Sequence, residues 1–243
     1  MKKLLIIILP VILLLAALSA CGPYEITYTF DYNYEGAPDP LVITFTNTER
    51  PDLPDEPERE GYVFDGWAFD SGEAFNEDDV SYVSLTLKAQ WLTERIVTFV
   101  INSETVTAPE AQKIGDGRKA SEPDEISTAD AQVVGWYTDE ALTALYDFDM
   151  SVNSNMTLYA KWGDKITVTF NLNYDGAPAS FTIEYVEGMP IELPDEPTRE
   201  NYTFVNWLLN ADKYATPYTE FDEDYELTDD ITVYAQWVQT GGF

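Results

Sequence analysis

The chain has 243 residues with 44 Asp and Glu against 13 Lys and Arg, a formal charge of −31, one Cys and no His. Such a charge repels nucleic-acid phosphates and excludes a nucleic-acid partner, while the lack of His removes Ser-His and Cys-His catalysis and His-ligated zinc. A content of 45% hydrophobic and 14% aromatic residues argues against disorder.

Taken from the N-terminus, residues 1–20 read as a secretory leader. Lys2 and Lys3 precede an apolar run broken only by Pro10, and Leu18-Ser19-Ala20-Cys21 supplies small residues at a cleavage point. The run is too short for a membrane span and has no charged stop after it. Cys21 has no second Cys to pair with, and its setting resembles the lipobox of bacterial lipoproteins. That resemblance implies lipid attachment at Cys21, a tether at 21–23 and a mature chain on the extracellular face of the membrane. Each buried CH₂ of the acyl chains adds on the order of 0.8 kcal/mol, so two or three chains make a durable anchor. The leader carries two lysines and no acid, so its loss takes the formal charge to about −33.

The rest of the chain is a three-fold repeat. Phe30, Phe99 and Phe170 each stand 37 residues before Trp67, Trp136 and Trp207, and Pro54, Pro123 and Pro194 each stand 13 before the same Trp. Each unit closes on Ala89-Gln90-Trp91, Ala160-Lys161-Trp162 or Ala235-Gln236-Trp237. A period near 70 residues means one small module copied three times. The boundaries fall at 24–92, 95–163 and 166–238, with a tail at 239–243.

Within a module, Ile26, Tyr28 and Phe30 alternate with Thr27, Thr29 and Asp31, as a half-buried strand requires. A turn follows at Glu35-Gly36 and at Asp175-Gly176, then a second alternating strand at Leu41-Ile43-Phe45 and Phe181-Ile183-Tyr185. The second unit has no clear equivalent. Leu53-Pro54-Asp55-Glu56-Pro57 and its copy cannot be helix interior, because each Pro costs about 3 kcal/mol there. A third strand leads to the first Trp and a last strand to the second. Between those two Trp residues the length varies, which marks a surface loop; residues 139–145 are the best helical candidate. Leu92-Thr93-Glu94 and Gly163-Asp164-Lys165 read as short linkers.

Gly61-Tyr62-Val63-Phe64-Asp65-Gly66-Trp67 and Leu158-Tyr159-Ala160-Lys161-Trp162 resemble the Listeria–Bacteroides repeat, also called the internalin-type B-repeat. The resemblance covers about 210 residues. It implies a mainly β (α+β) fold of three tandem β-grasp-like modules with little helix, of a kind found on bacterial surface proteins, often adhesins. Asn201 and Asn206 depart from the pattern where the first unit has Gly61 and Gly66, and Ala131-Gln132-Val133-Val134 departs in the second unit.

The recurrent Trp residues lie on alternating strands, so core packing accounts for them better than sugar stacking. Tyr34 and Tyr174 sit in polar turns and are the candidate contact residues, since Tyr orders cheaply at binding surfaces. Glu77-Asp78-Asp79, Asp147 with Asp149, and Asp222-Glu223-Asp224 read as solvated loops, lacking the spacing that gathers six to eight oxygens around Ca²⁺. The sequence thus points to a non-catalytic, monomeric, lipid-anchored surface protein without cofactor or metal. It would touch the membrane through its lipid and meet a surface protein or glycan, or act as a spacer. The alternative is a capture lipoprotein holding a small ligand or Ca²⁺ between repeats.

Overall fold

The computed structural model describes residues 22–76, 81–212, 214 and 216–240. The expected leader, Cys21, the Glu77-Asp78-Asp79 cluster and the end of the tail lie outside the described residues. Those described form eleven strands and no helix. They divide into two compact units, one ending at Leu92 and one spanning Thr93–Phe243.

In the first unit, β1 (Glu25–Asp31) pairs antiparallel with β2 (Leu41–Thr46) and parallel with the start of β4 (Leu85–Val100), which also pairs with β3 (Tyr62–Ala68). The alternation read from the sequence sends Ile26, Tyr28 and Phe30 into the core, where Phe45, Trp67, Leu87 and Ala89 meet them. Phe30 and Trp67 pack edge to face with centroids 4.9 Å apart. The second and third repeats contain the same pair, Phe99 with Trp136 and Phe170 with Trp207, each at 4.9 Å. The 37-residue spacing is therefore the sequence trace of one aromatic contact, which adds about 0.5–1.5 kcal/mol beyond the burial itself.

In the second unit, β4 continues between β5 (Gln112–Gly115) and β7 (Met156–Asn171), and β6 (Ala131–Tyr137) lies antiparallel on β7. The later half of β7 pairs with β8 (Phe181–Val186) and β11 (Ile231–Gln239); β11 is followed in the sheet by β9 (Tyr202–Leu208) and β10 (Glu220–Phe221). The second repeat's second strand, unmarked in the sequence, is β5, only four residues long.

The linkers are corrected by the structure. Leu92-Thr93-Glu94 lies inside β4 and Gly163-Asp164-Lys165 inside β7, both sixteen-residue strands. The cause is phase. Leu87, Ala89, Val97 and Phe99 are buried on one odd-numbered series, and Leu158, Ala160, Ile166, Val168 and Phe170 on one even-numbered series. A period-two pattern that keeps its parity gives the backbone no reason to turn.

The helical candidate at 139–145 is also corrected: it is a tight loop. Leu142 has φ of 56°, which ends any right-handed helix. Both Thr143 and Ala144 donate N–H to the Asp139 carboxylate, the latter at 2.8 Å, and Thr143 adds its hydroxyl. Burial raises the affinity of this carboxyl for its proton, but the Ala144 and Thr143 donors outweigh it and hold Asp139 below the ordinary Asp range. A lowered carboxyl stabilises the fold above its unfolded pKa and loses that contribution as the pH falls through the lowered value. A proton titration followed by NMR is expected to place Asp139 below an unperturbed Asp, with the Thr143 and Ala144 amides moving in step. An ordinary Asp midpoint there would contradict the loop geometry.

Candidate interaction site

The second Trp of each repeat is held by one device. Trp91, Trp162 and Trp237 donate their indole N–H to the carbonyls of Tyr32 (2.8 Å), Ile101 (2.7 Å) and Leu172 (2.7 Å). Each indole thus ties the last strand of its repeat to the residue just after the first Phe strand, satisfying a half-buried donor that would otherwise be costly. The next residue is an Asn in the left-handed region in all three copies: Asn33, Asn102 and Asn173 with φ of 57°, 47° and 59°. Asn tolerates that conformation better than most side chains. Asn33 and Asn173 also donate from Nδ2 to the Ala89 and Ala235 carbonyls. Asn201, standing where the first repeat has Gly61, works for the same reason: both adopt positive φ, 61° and 76°.

On this frame, repeats one and three carry a stacked cation. The Arg59 guanidinium lies 3.6 Å from the Tyr62 ring centroid, 4.7 Å from Tyr34 and 5.8 Å from Trp91. Arg199 makes the same three contacts at 3.6 Å to Tyr202, 4.4 Å to Tyr174 and 5.9 Å to Trp237. Tyr34 and Tyr174 additionally meet Trp91 and Trp237 edge to face. The two turn tyrosines, read from the sequence as contact residues in polar turns, are half-buried walls of these clusters. The second repeat has Ser103, Thr128 and Ala131 at the corresponding positions and cannot build one. Arg59 and Arg199 were missed in the sequence because each lies in a Pro-rich loop, far along the chain from two of its three rings, Tyr34 and Trp91 or Tyr174 and Trp237. Their recurrence eight residues before Trp67 and Trp207 was the available signal.

A stacked guanidinium at a partly exposed site is worth about 0.5–1 kcal/mol. Arg199→Ala is accordingly expected to lower stability by about that amount, and Arg199→Lys to recover only part of it because Lys lacks the planar fork. Chemical denaturation of the two variants tests this; equal stability of wild type and Arg199→Ala would remove the role.

Elsewhere the charges are carried at the surface. Asp149 is held below the ordinary Asp range by the Lys119 ammonium 2.9 Å away, and Lys119 is raised in return. Asp147 and Asp149 border a groove floored by Trp136 and Phe148. Asp224 and Glu223 border a cavity of about 440 Å³ within the second unit, together with Trp162, Met189 and Tyr225. Among the described residues, no three His, Cys, Asp or Glu side chains are grouped to hold a metal ion. No helix among them is long and apolar enough to cross a membrane.

A sequence profile of the Listeria-Bacteroides repeat domain matches residues 27–90, 96–161 and 167–236. The chain belongs to the Listeria-Bacteroides repeat family. Two proteins of Evansella cellulosilytica share this sequence pattern. One, named "Putative membrane protein", is 34% identical over 191 residues, covering 76% of this chain and 28% of its own length. The other, named "Putative Gly-rich membrane protein", is 34% identical over 189 residues, covering 74% of this chain and 21% of its own. The chain thus spans about a quarter of the relatives it matches. The family's repeat is, in this molecule, the Phe–Trp core pair, the indole-anchored last strand and, in two copies of three, the stacked Arg.

Proposed function

We propose that this Listeria-Bacteroides repeat protein is held at the bacterial membrane by lipid on Cys21 and presents its three repeats outside the cell. There they make non-catalytic contacts with surface protein or glycan, or set a spacing. The observation that carries this reading is the reuse of one aromatic-cored sheet three times. In each copy, the residues shared between repeats are spent on packing rather than on a reactive constellation. The lipobox-like Leu18-Ser19-Ala20-Cys21 and the membrane-protein names of the two relatives support the anchor.

Detergent partition of cells producing the full chain tests the anchor. The wild type is expected in the detergent phase and Cys21→Ala in the aqueous phase or the medium. Equal partition of both would overturn lipid attachment.

A further inference from the structure

The three repeats each present a comparable outer strand: β2, β5 and β8, each paired, among the described residues, along one side only. Pairing parity shows which backbone groups face outward. Asn47 donates its N–H to the Tyr24 carbonyl in the register that continues β1 and β2. Hydrogen bonding in an antiparallel pair alternates residue by residue. The N–H and C=O of Val42, Thr44 and Thr46 therefore point away from β1. Thr46 is already occupied, its N–H and hydroxyl by the Glu49 carboxylate and its carbonyl by the Glu49 N–H. Val42 and Thr44 are left with four outward groups, and the Val42 side chain is 56% exposed. The same reasoning from Thr93–Asp116 and Asp164–Glu187 makes Lys113 outward on β5 and Thr182 and Glu184 outward on β8.

Charged side chains blunt a sheet edge. Lys113 does so on β5 and Glu184 on β8, both exposed. At the matching position β2 has Thr44, and no residue from Leu41 to Thr46 is charged. The edge is bare, and the repeat that carries it is one-signed in composition: residues 24–92 contain 16 Asp and Glu against three Lys and Arg. One of those three cations, Arg59, is stacked on aromatic rings, and another, Lys88, is bound to Asp70.

We infer that β2 is a docking edge for an extended, cationic segment of a partner polypeptide, which adds a strand through the backbone of Val42 and Thr44. Main-chain hydrogen bonds supply the pairing and the acidic repeat selects the charge. A second copy of this chain is the wrong occupant, since two such acidic units repel. The inference deepens the contact reading and stands independently of lipid at Cys21, so failure of one leaves the other intact.

The test uses the whole chain and a capped octapeptide alternating lysine and valine. Binding is followed by fluorescence anisotropy and by amide hydrogen exchange. The expected result is saturable binding with exchange at Val42 and Thr44 slowed at least tenfold. Thr44→Lys, which copies the guard of β5, is expected to weaken binding tenfold or more, and Thr182→Lys on β8 to leave it unchanged. An octapeptide of the same charge, N-methylated at alternate residues, is expected not to bind. Equal binding of the N-methylated peptide would reduce the effect to bulk charge and overturn the inference. Protection elsewhere than at Val42 and Thr44 would also overturn it, and so would self-association through β2 without peptide. Exchange in the wild type decides the matter should Thr44→Lys not fold.

Discussion

Gly163→Ala is expected to be among the most damaging single substitutions in the second unit, although it adds one methyl group. A Cβ built on Gly163 would lie 2.1 Å from the Glu187 carbonyl oxygen and 2.9 Å from Val134 Cγ1. The nearer obstacle is backbone, which cannot rotate aside as a side chain can. Gly163 sits in the middle of β7, where Asp164 accepts the Glu187 N–H and Lys165 donates to the Asp130 carbonyl, both at 2.8 Å. These two bonds join the end of the second repeat to the start of the third. Relief of the clash must therefore pull β7 away from its neighbours on both sides of the junction. Overpacking of this kind costs about 1–3 kcal/mol. Urea unfolding measures the loss, with Gly22→Ala as the control, because a Cβ there meets nothing within 4 Å. An unchanged midpoint for Gly163→Ala would mean that the close approach at the junction does not exist in solution.

Trp207→Ala carries the second large effect. Trp207 is 2% exposed and touches Phe170, Phe181 and Phe204 at centroid distances of 4.9–6.4 Å. Deleting a buried Trp side chain typically costs about 3–5 kcal/mol, through lost transfer energy and the cavity left behind. That is a large share of the 5–15 kcal/mol that keeps an ordinary domain folded. Because β7 gives Leu158 and Ala160 to one core and Val168 and Phe170 to the next, damage to the third repeat should reach the second. Trp207→Ala and Trp136→Ala are both expected to lower the same unfolding transition of the second unit. Hydrogen exchange at β6 amides in Trp207→Ala reads this directly. Full protection of β6 alongside an unfolded third repeat would show that the two cores fold separately.

Much of this architecture was legible from residue order because its causes are local or repeat at fixed spacing. Alternation located β1, β2, β3 and the two halves of β4 and β7, since side-chain direction along a strand has period two. Equal spacing of Phe30 and Trp67, Phe99 and Trp136, and Phe170 and Trp207 located the core. Features set by variable spacing were not legible. Phe75, Tyr146 and Phe221 each return to pair with the strand of the first Trp, but they do so 8, 10 and 14 residues beyond it. No fixed-period reading aligns them. The loop at Asp139 was the best helical candidate in the sequence because its composition permits one, whereas the decision fell to a carboxylate capping Thr143 and Ala144.

By itself, then, the sequence determined that the chain is a triple β repeat, that Phe and Trp at fixed distance make each core, and that the surface is acidic. It could do so because burial alternates along strands and copies keep their spacing. Only the tertiary structure decided that the apparent linkers are strand interior, that Arg59 and Arg199 rest on the turn tyrosines, and that β2 lacks the charge its counterparts β5 and β8 carry. Those depend on which distant backbones lie side by side, and that follows from the pairing of whole strands rather than from any neighbouring residue.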